Sequence, residues 1–257
     1  MKPGFKYIYG PVPSWRLGSS LGIDPISQDK KICSFDCVYC QLGETIFFSD
    51  ERKVFVPVDA IIEELDLLPP VEVDYITFSG AGEPTLAENL GDMIKVVKKI
   101  RKDKVAVLTN SSLMYREDVQ EDLLSADLVA VKLDACSQEV FGAINHPFEG
   151  ISFDKSVCAI KKFKTIYKGK LALQVMFMEE NKKYAKKLAS IIREINPDEI
   201  QVNTPLRPCR VKSLPKEELN KIKKHFQGLN VVSVYEAQKK DIKPISNKDT
   251  LARRGKI

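Results

Sequence analysis

The sequence predicts an α/β fold, a partial TIM-type barrel of (β/α)6 form with a short N-terminal extension and a basic C-terminal tail. Three observations predict it. Short β-branched or apolar runs alternate with amphipathic segments, the connections between them are short, and proline or asparagine stands at several of the boundaries. Right-handed crossovers lay each strand beside the one before, so six consecutive βα units curl into a barrel segment; a doubly wound sheet is the rival arrangement.

In chain order, strands are expected at residues 20–24, 73–79, 104–109, 127–134, 171–178 and 199–203. Helices are expected at 58–68, ended by Pro69 and Pro70, then at 88–102, 117–125 and 154–167. Two more follow, at 182–195, closed by Asn196 and Pro197, and at 216–226, entered through Pro215; a seventh strand at 230–236 comes after the last helix. No low-complexity stretch or linker interrupts the pattern, so one domain is expected over 1–238, with a mobile basic tail over 239–257.

The 257 residues are 44% apolar, enough for a sizeable core, yet no run approaches the roughly 20 apolar residues of a membrane span. The first 15 residues lack the apolar run of a signal peptide, and a cytoplasmic protein without membrane attachment is expected. From Arg207 onward Lys and Arg outnumber Asp and Glu by 14 to 5, so any nucleic-acid reading rests on the C-terminal fifth.

Six cysteines are too few for a secreted disulfide scaffold, and three of them, Cys33, Cys37 and Cys40, fall within eight positions. Three thiols on one loop can reach a single inorganic centre. Structural zinc usually takes four protein ligands, and the chain has no second CxxC pair and only two histidines, His146 and His225. A 4Fe-4S cube held at three irons fits better and leaves its fourth iron for a small molecule.

The CxxxCxxC spacing, with Tyr39 just before the last cysteine, resembles the signature of the radical S-adenosylmethionine (radical SAM) superfamily. The turn Ser79-Gly80-Ala81-Gly82-Glu83-Pro84-Thr85 is similar to that family's GGEP-like element, with Ala81 in place of one glycine. Further stretches, 9–18 and 201–208, resemble an iron–sulfur oxidoreductase branch related to the tRNA wybutosine-synthesis enzymes. The resemblance spans roughly 9–210 and implies a 4Fe-4S cluster on Cys33, Cys37 and Cys40, S-adenosylmethionine (SAM) as second cofactor, and a one-electron donor of flavodoxin or ferredoxin type. It implies that SAM is cleaved reductively to a 5′-deoxyadenosyl radical that takes hydrogen from a substrate. Implied SAM contacts are Tyr39, Gly80, Ala81, Gly82, Glu83, Thr109, Asn110, Ser111, Lys132, Asp134, Gln174 and Asn203.

Several of these positions also stand out by pattern. Period-two alternation puts Lys132 with Asp134, and Gln201 with Asn203, on faces opposite Val131, Leu133, Ile200 and Val202, so polar groups are expected to line a cavity. Arg16, Arg207 and Arg210 suit an anionic substrate, and Cys136, Cys209 and His146 follow strands at the same rim. Cys158, among Val157, Ala159 and Ile160, is expected to pack in the core. No catalytic acid or base is marked out. The substrate classes left open are RNA, gripped in part by the basic tail, and a protein or small metabolite; a zinc-stabilised binding protein is the non-enzymatic alternative. The sequence does not indicate an oligomeric state.

Overall fold

The structure is a computed structural model and describes residues 4–237 and 240–254. Its elements are β1 (Ile8–Ser14), β2 (Gly18–Ile23), β3 (Ile32–Cys33), β4 (Phe47–Phe48), α1 (Val58–Asp66), β5 (Tyr75–Phe78), α2 (Leu90–Ile100), β6 (Lys104–Thr109) and α3 (Glu117–Leu123). They continue with β7 (Leu128–Lys132), α4 (Gln138–Asn145), α5 (Phe153–Ile166), β8 (Lys170–Met176), α6 (Ala185–Ile195), β9 (Glu199–Asn203), α7 (Lys216–Lys223), β10 (Val231–Ser233) and α8 (Asn247–Arg254).

The main sheet runs β1-β2-β5-β6-β7-β8-β9-β10. From β2 onward every pairing is parallel, and β1 joins antiparallel at the edge. Side chains from β1, β2 and each of β5 to β9 line one common cavity, so the sheet curls round it as an open half-barrel. This is the expected partial barrel, and the doubly wound alternative falls.

The two faces of the sheet differ in side-chain size. On the outer face Ile76, Phe78, Val105, Val107, Val129, Val131, Leu171, Leu173, Val175, Ile200 and Val202 are fully buried in the main core with the helices. On the inner face Ala106, Leu128, Ala130 and Ala172 pack with Leu17 near the N-terminal strand ends. Three of those five are alanines. A filled barrel uses bulky branched residues there, so the small side chains leave space above.

Strands at 104–109 and 199–203 fall where expected, and the other expected strands differ only at their ends. Three features differ more. Strand β1 carries Pro11 and Pro13, which weaken a strand pattern but are tolerated on an edge. Helix α4 occupies a stretch where no helix is expected; Ser137 caps it by accepting from the Val140 N–H, and Gly142 interrupts its pattern. Cys158 is exposed rather than packed, because the buried stripe of α5 runs through Phe153, Ser156, Val157, Ile160 and Phe163 and leaves it outside.

The segment expected to be mobile carries α8 and lies against β1. Ile245 N donates to the Gly10 carbonyl (2.7 Å), Thr250 Oγ1 accepts from Gly10 N (3.1 Å), and the Asp249 carboxylate accepts from Phe5 N (3.3 Å). These bonds use polar groups that an edge strand otherwise leaves open. The expected boundary between residues 238 and 239 falls outside the described residues.

Arg52 ties this scaffold to the turn after β5. Its side chain is 4% exposed, donates to the carbonyls of Thr85 and Ala87 (both 2.9 Å), and pairs with Asp118 (2.8 Å) and Asp122 of α3. Removing one partner of a buried ion pair typically costs about 3–5 kcal/mol. Arg52→Ala is therefore expected to lower unfolding stability by about 3 kcal/mol, read as a lower urea midpoint with unchanged slope.

Candidate active site

The segment from Ile32 to Cys40 has little regular structure, so its backbone is held by neighbours. Asp36 N donates to the carbonyls of Asn145 and His146 (both 3.1 Å), and Val38 N to that of Ile144 (3.0 Å). Those carbonyls belong to the C-terminal end of α4, which leaves such groups unmet. His146 closes the helix in the left-handed conformation (φ 41°). On the other side, Ile32 bridges to Gly82, and Glu83 N donates to the Ile32 carbonyl (3.2 Å).

Two amides point at the sulfurs. Asn110 Nδ2 lies 3.6 Å from Cys33 Sγ, and Asn145 Nδ2 lies 3.5 Å from Cys37 Sγ. Burial pushes the Cys33 thiol up to about 12, with the Glu83 and Cys37 charges adding. Cys37 is also raised, mainly by burial and against the pull of Lys132. Burial lowers the pKa of Lys31, but the three neighbouring cysteines, through charge and a Cys40 hydrogen bond, together outweigh it and the net shift is upward. Buried thiols whose protons a bound metal would displace, with N–H donors on two of the sulfurs and a lysine beside them, suit an iron–sulfur centre.

Tyr39 is fixed between the loop and the sheet. Its hydroxyl donates to the Asp134 carboxylate and accepts from Lys132 Nζ (3.0 Å), whose ammonium lies 4.2 Å from the ring centroid. Burial, then the Asp134 charge, holds the phenol well above its ordinary pKa, so it stays protonated. Asp134 also accepts from Met176 N (2.7 Å) and Asn145 Nδ2 (3.0 Å).

The glycine turn serves close packing. A Cβ on Gly82 would lie 1.9 Å from the Ile32 carbonyl oxygen, and one on Gly80 would lie 2.1 Å from the Asp24 carboxyl carbon. Ala81 gives its N–H to Asp24 (3.0 Å) and its carbonyl to Ile32 N (3.4 Å). Glu83 is 2% exposed and accepts from Thr85 N (3.1 Å), Thr85 Oγ1 (2.7 Å), Thr109 Oγ1 (2.6 Å) and Asn110 N (2.7 Å). Burial raises its pKa against the opposing effect of those donors.

A cavity of about 400 Å³ opens beside the loop. Of the implied cofactor contacts, Tyr39, Gly80, Gly82, Thr109, Asn110, Lys132, Gln174 and Asn203 line it, together with Cys40. Ala81, Glu83, Ser111 and Asp134 stand behind that wall; Ser111 (φ 71°) bonds through Oγ to Lys132 N (3.1 Å). Arg16 and Arg207 line the cavity, whereas Arg210 pairs with Asp36 (2.6 Å) outside it. Cys136, His146 and Cys209 lie outside the wall: His146 is exposed, Cys136 half-buried, and Cys209 Sγ faces the Val211 carbonyl (3.2 Å). Gln201 is buried at the Glu199 carboxylate (2.9 Å) rather than in the wall beside Asn203.

Sequence reasoning passed over Asn145, Asp24 and Lys31. The Asn-His-Pro run after an apolar stretch was a helix-stop signal for α4; nothing local marked Asp24.

A half-barrel with a cysteine loop at the C-terminal strand ends describes a class of cofactor enzyme, and the comparisons name it. Residues 30–192 match the Radical SAM superfamily, and the chain is an enzyme of that superfamily. Within it the chain belongs to the UPF0026 proteins, being 42% identical over 209 residues to one from Synechocystis sp., 81% of this chain and 78% of that one. Streptococcus suis SuiB bound to S-adenosylmethionine superposes with a TM-score of 0.59 at 16% identity, over 80% of this chain and 48% of SuiB. Archaeal TYW1 gives 0.59 at 15% identity, over 85% of this chain and 74% of that one. At such identities the likeness is one of fold, and this chain spans about half of SuiB. Membership implies SAM and an iron–sulfur cluster as cofactors and a source of electrons. Among the described residues no helix is long and apolar enough to cross a membrane.

Gly82→Ala is expected to displace the Ile32 backbone and with it Cys33, so that the purified variant reconstitutes with markedly less iron than the wild type. Asn145→Leu strips donors from Cys37, Tyr39 and Asp134 at once. An unmet buried acceptor costs about 1–3 kcal/mol, and a loss of that size should appear in urea unfolding of the iron-free protein.

Proposed function

We propose that Cys33, Cys37 and Cys40 hold a 4Fe-4S cluster and that SAM occupies the adjoining cavity, where a substrate is activated by hydrogen abstraction. One observation carries the reading: three thiols on one loop, two of them met by side-chain amide donors, beside a cavity at the strand ends. When bound, the two cofactors supply one-electron cleavage of the sulfonium and a 5′-deoxyadenosyl radical.

The chain's own contribution is holding and orienting. The amides of Asn110 and Asn145 stabilise thiolate sulfur, and Lys31 offsets its charge. Gly80 and Gly82 bring bare backbone to the cavity wall, where carbonyl oxygens can accept from an ammonium group. Lys132, oriented by the Tyr39 hydroxyl, and Asn203 offer polar partners for carboxylate and ribose. Glu83 positions: two of its four accepted bonds lock Thr109 and Asn110 at the end of β6, and the other two hold Thr85. A flavodoxin or ferredoxin in the cytoplasm would supply the electron. The basic stretch after Arg207 supports an RNA substrate and a tie to the wybutosine-related branch; salt-sensitive tRNA binding would test both.

Anaerobic reconstitution of wild type and Cys37→Ala, with iron, sulfide and dithionite-dependent 5′-deoxyadenosine assayed, decides the central claim. About four irons and nucleoside release are expected from the wild type alone. Zinc without sulfide, and no nucleoside, would make the loop a structural metal site instead.

A further inference from the structure

A lysine is buried beside the cysteines. The Lys31 side chain is 7% exposed, and its backbone is fixed one residue before β3, where Phe47 N of β4 donates to its carbonyl (3.2 Å). Taking an ammonium out of water is costly unless the charge finds partners. Lys31 Nζ donates to the Gly43 carbonyl (3.0 Å) and hydrogen-bonds to Cys40. Gly43 N in turn donates to the Cys40 carbonyl (3.1 Å), so the ammonium clamps the turn that follows the last cysteine.

The acid beside this ammonium is engaged elsewhere. Asp36 Oδ1 lies 3.6 Å from Lys31 Nζ, beyond hydrogen-bond length, and accepts from Thr45 N (2.8 Å), while Oδ2 pairs with Arg210 (2.6 Å). Arg210 therefore offsets part of the Asp36 charge that Lys31 would otherwise feel. The Arg210 side chain is 43% exposed, so its field is screened by water and salt far more than that of the buried ammonium.

Other charges around the sulfurs oppose one another. At Cys37 Lys132 and Asp134 act with opposite sign, and Lys132 is tied to Asp134 through the Tyr39 hydroxyl. At Cys33 the charge of Glu83 opposes that of Lys31. Lys31 acts on all three thiols with the same sign. The amides of Asn110 and Asn145 serve Cys33 and Cys37, and Lys31 serves Cys40.

A 4Fe-4S core on three thiolates is already anionic, and reduction adds a further negative charge. Net charge and hydrogen bonds to sulfur set the potential of such a cluster. A nearby cation favours the form that carries the extra electron, most strongly where water is excluded. We infer that Lys31 is a positioning residue for electron uptake: its buried ammonium at the Cys40 turn raises the reduction potential of the cluster, and the Asp36–Arg210 pair sets how much of that field the cluster receives. The inference rests on the cluster reading above and adds which charge governs the ease of reduction.

The test is a redox titration of the anaerobically reconstituted protein without SAM, followed by the electron paramagnetic resonance signal of the reduced cluster, with iron and sulfide assayed in the same samples. Lys31→Met should move the equilibrium toward the oxidised form on the order of tenfold, a midpoint about 59 mV lower for a one-electron couple. Lys31→Arg keeps the charge and should stay near the wild type. Asp36→Asn, which retains an oxygen for Thr45 N, should raise the midpoint. Arg210→Gln should lower it by less than Lys31→Met, because its charge is exposed. An unchanged midpoint in an iron-replete Lys31→Met protein would overturn the inference and leave Lys31 a structural clamp on the Gly43 turn. Shifts of the same sign from Asp36→Asn and Arg210→Gln would overturn it too. If Lys31→Met holds no iron, the signs of those two outer variants decide. Failure of the cluster reading looks different, since the wild type itself then binds no iron and sulfide and gives no signal to titrate.

Discussion

A loop that presents three cysteines to one centre cannot be a helix or a strand along its whole length, so its backbone groups need partners from elsewhere. Here the partners are the carbonyls at the end of α4 on one side and the turn after β5 on the other. Each supplier has its own unmet need: a helix end has spare carbonyls, and a tight βα turn has spare amides and carbonyls. The loop, α4 and the turn complete one another. Around this contact the buried polar side chains fall into order, with Asn145 spanning Cys37, Tyr39 and Asp134.

The same principle explains why the acids near the site are mostly structural. Glu83 and Asp134 are each tied to backbone N–H groups on other elements, which costs desolvation and is offset by several hydrogen bonds. Their worth lies in where they hold Asn110, Thr109 and Tyr39. Besides apolar side chains and Cys40, the groups that reach the cavity are backbone, amides, hydroxyls and cations.

Much of this was legible in the sequence, and what was not has physical causes. The parallel strands declared themselves because their outer faces are β-branched or leucine-rich, as in Val105, Val107, Val129 and Val131, and the cysteine spacing pointed to the family before any coordinates did. Strand β1 was masked by prolines that only its edge position tolerates, and α4 by Gly142 in its middle. Whether a polar residue lines the cavity or supports the wall depends on contacts across the chain. Gln174 and Asp134 look alike as strand-end polar residues, yet one faces the cavity and the other backs Tyr39. Asp24 is defined by its contact with Ala81, which lies 57 residues away.

The clasp between β1 and α8 joins residues about 240 positions apart, through Gly10 and Thr250. Contacts of such separation form late, because the intervening chain must already be collapsed. During synthesis β1 would pair with β2 while its outer edge stays bare until the stretch that forms α8 has been made. The newborn protein thus passes through a stage in which an open strand edge invites other chains, and the arrival of α8 closes that edge at Gly10.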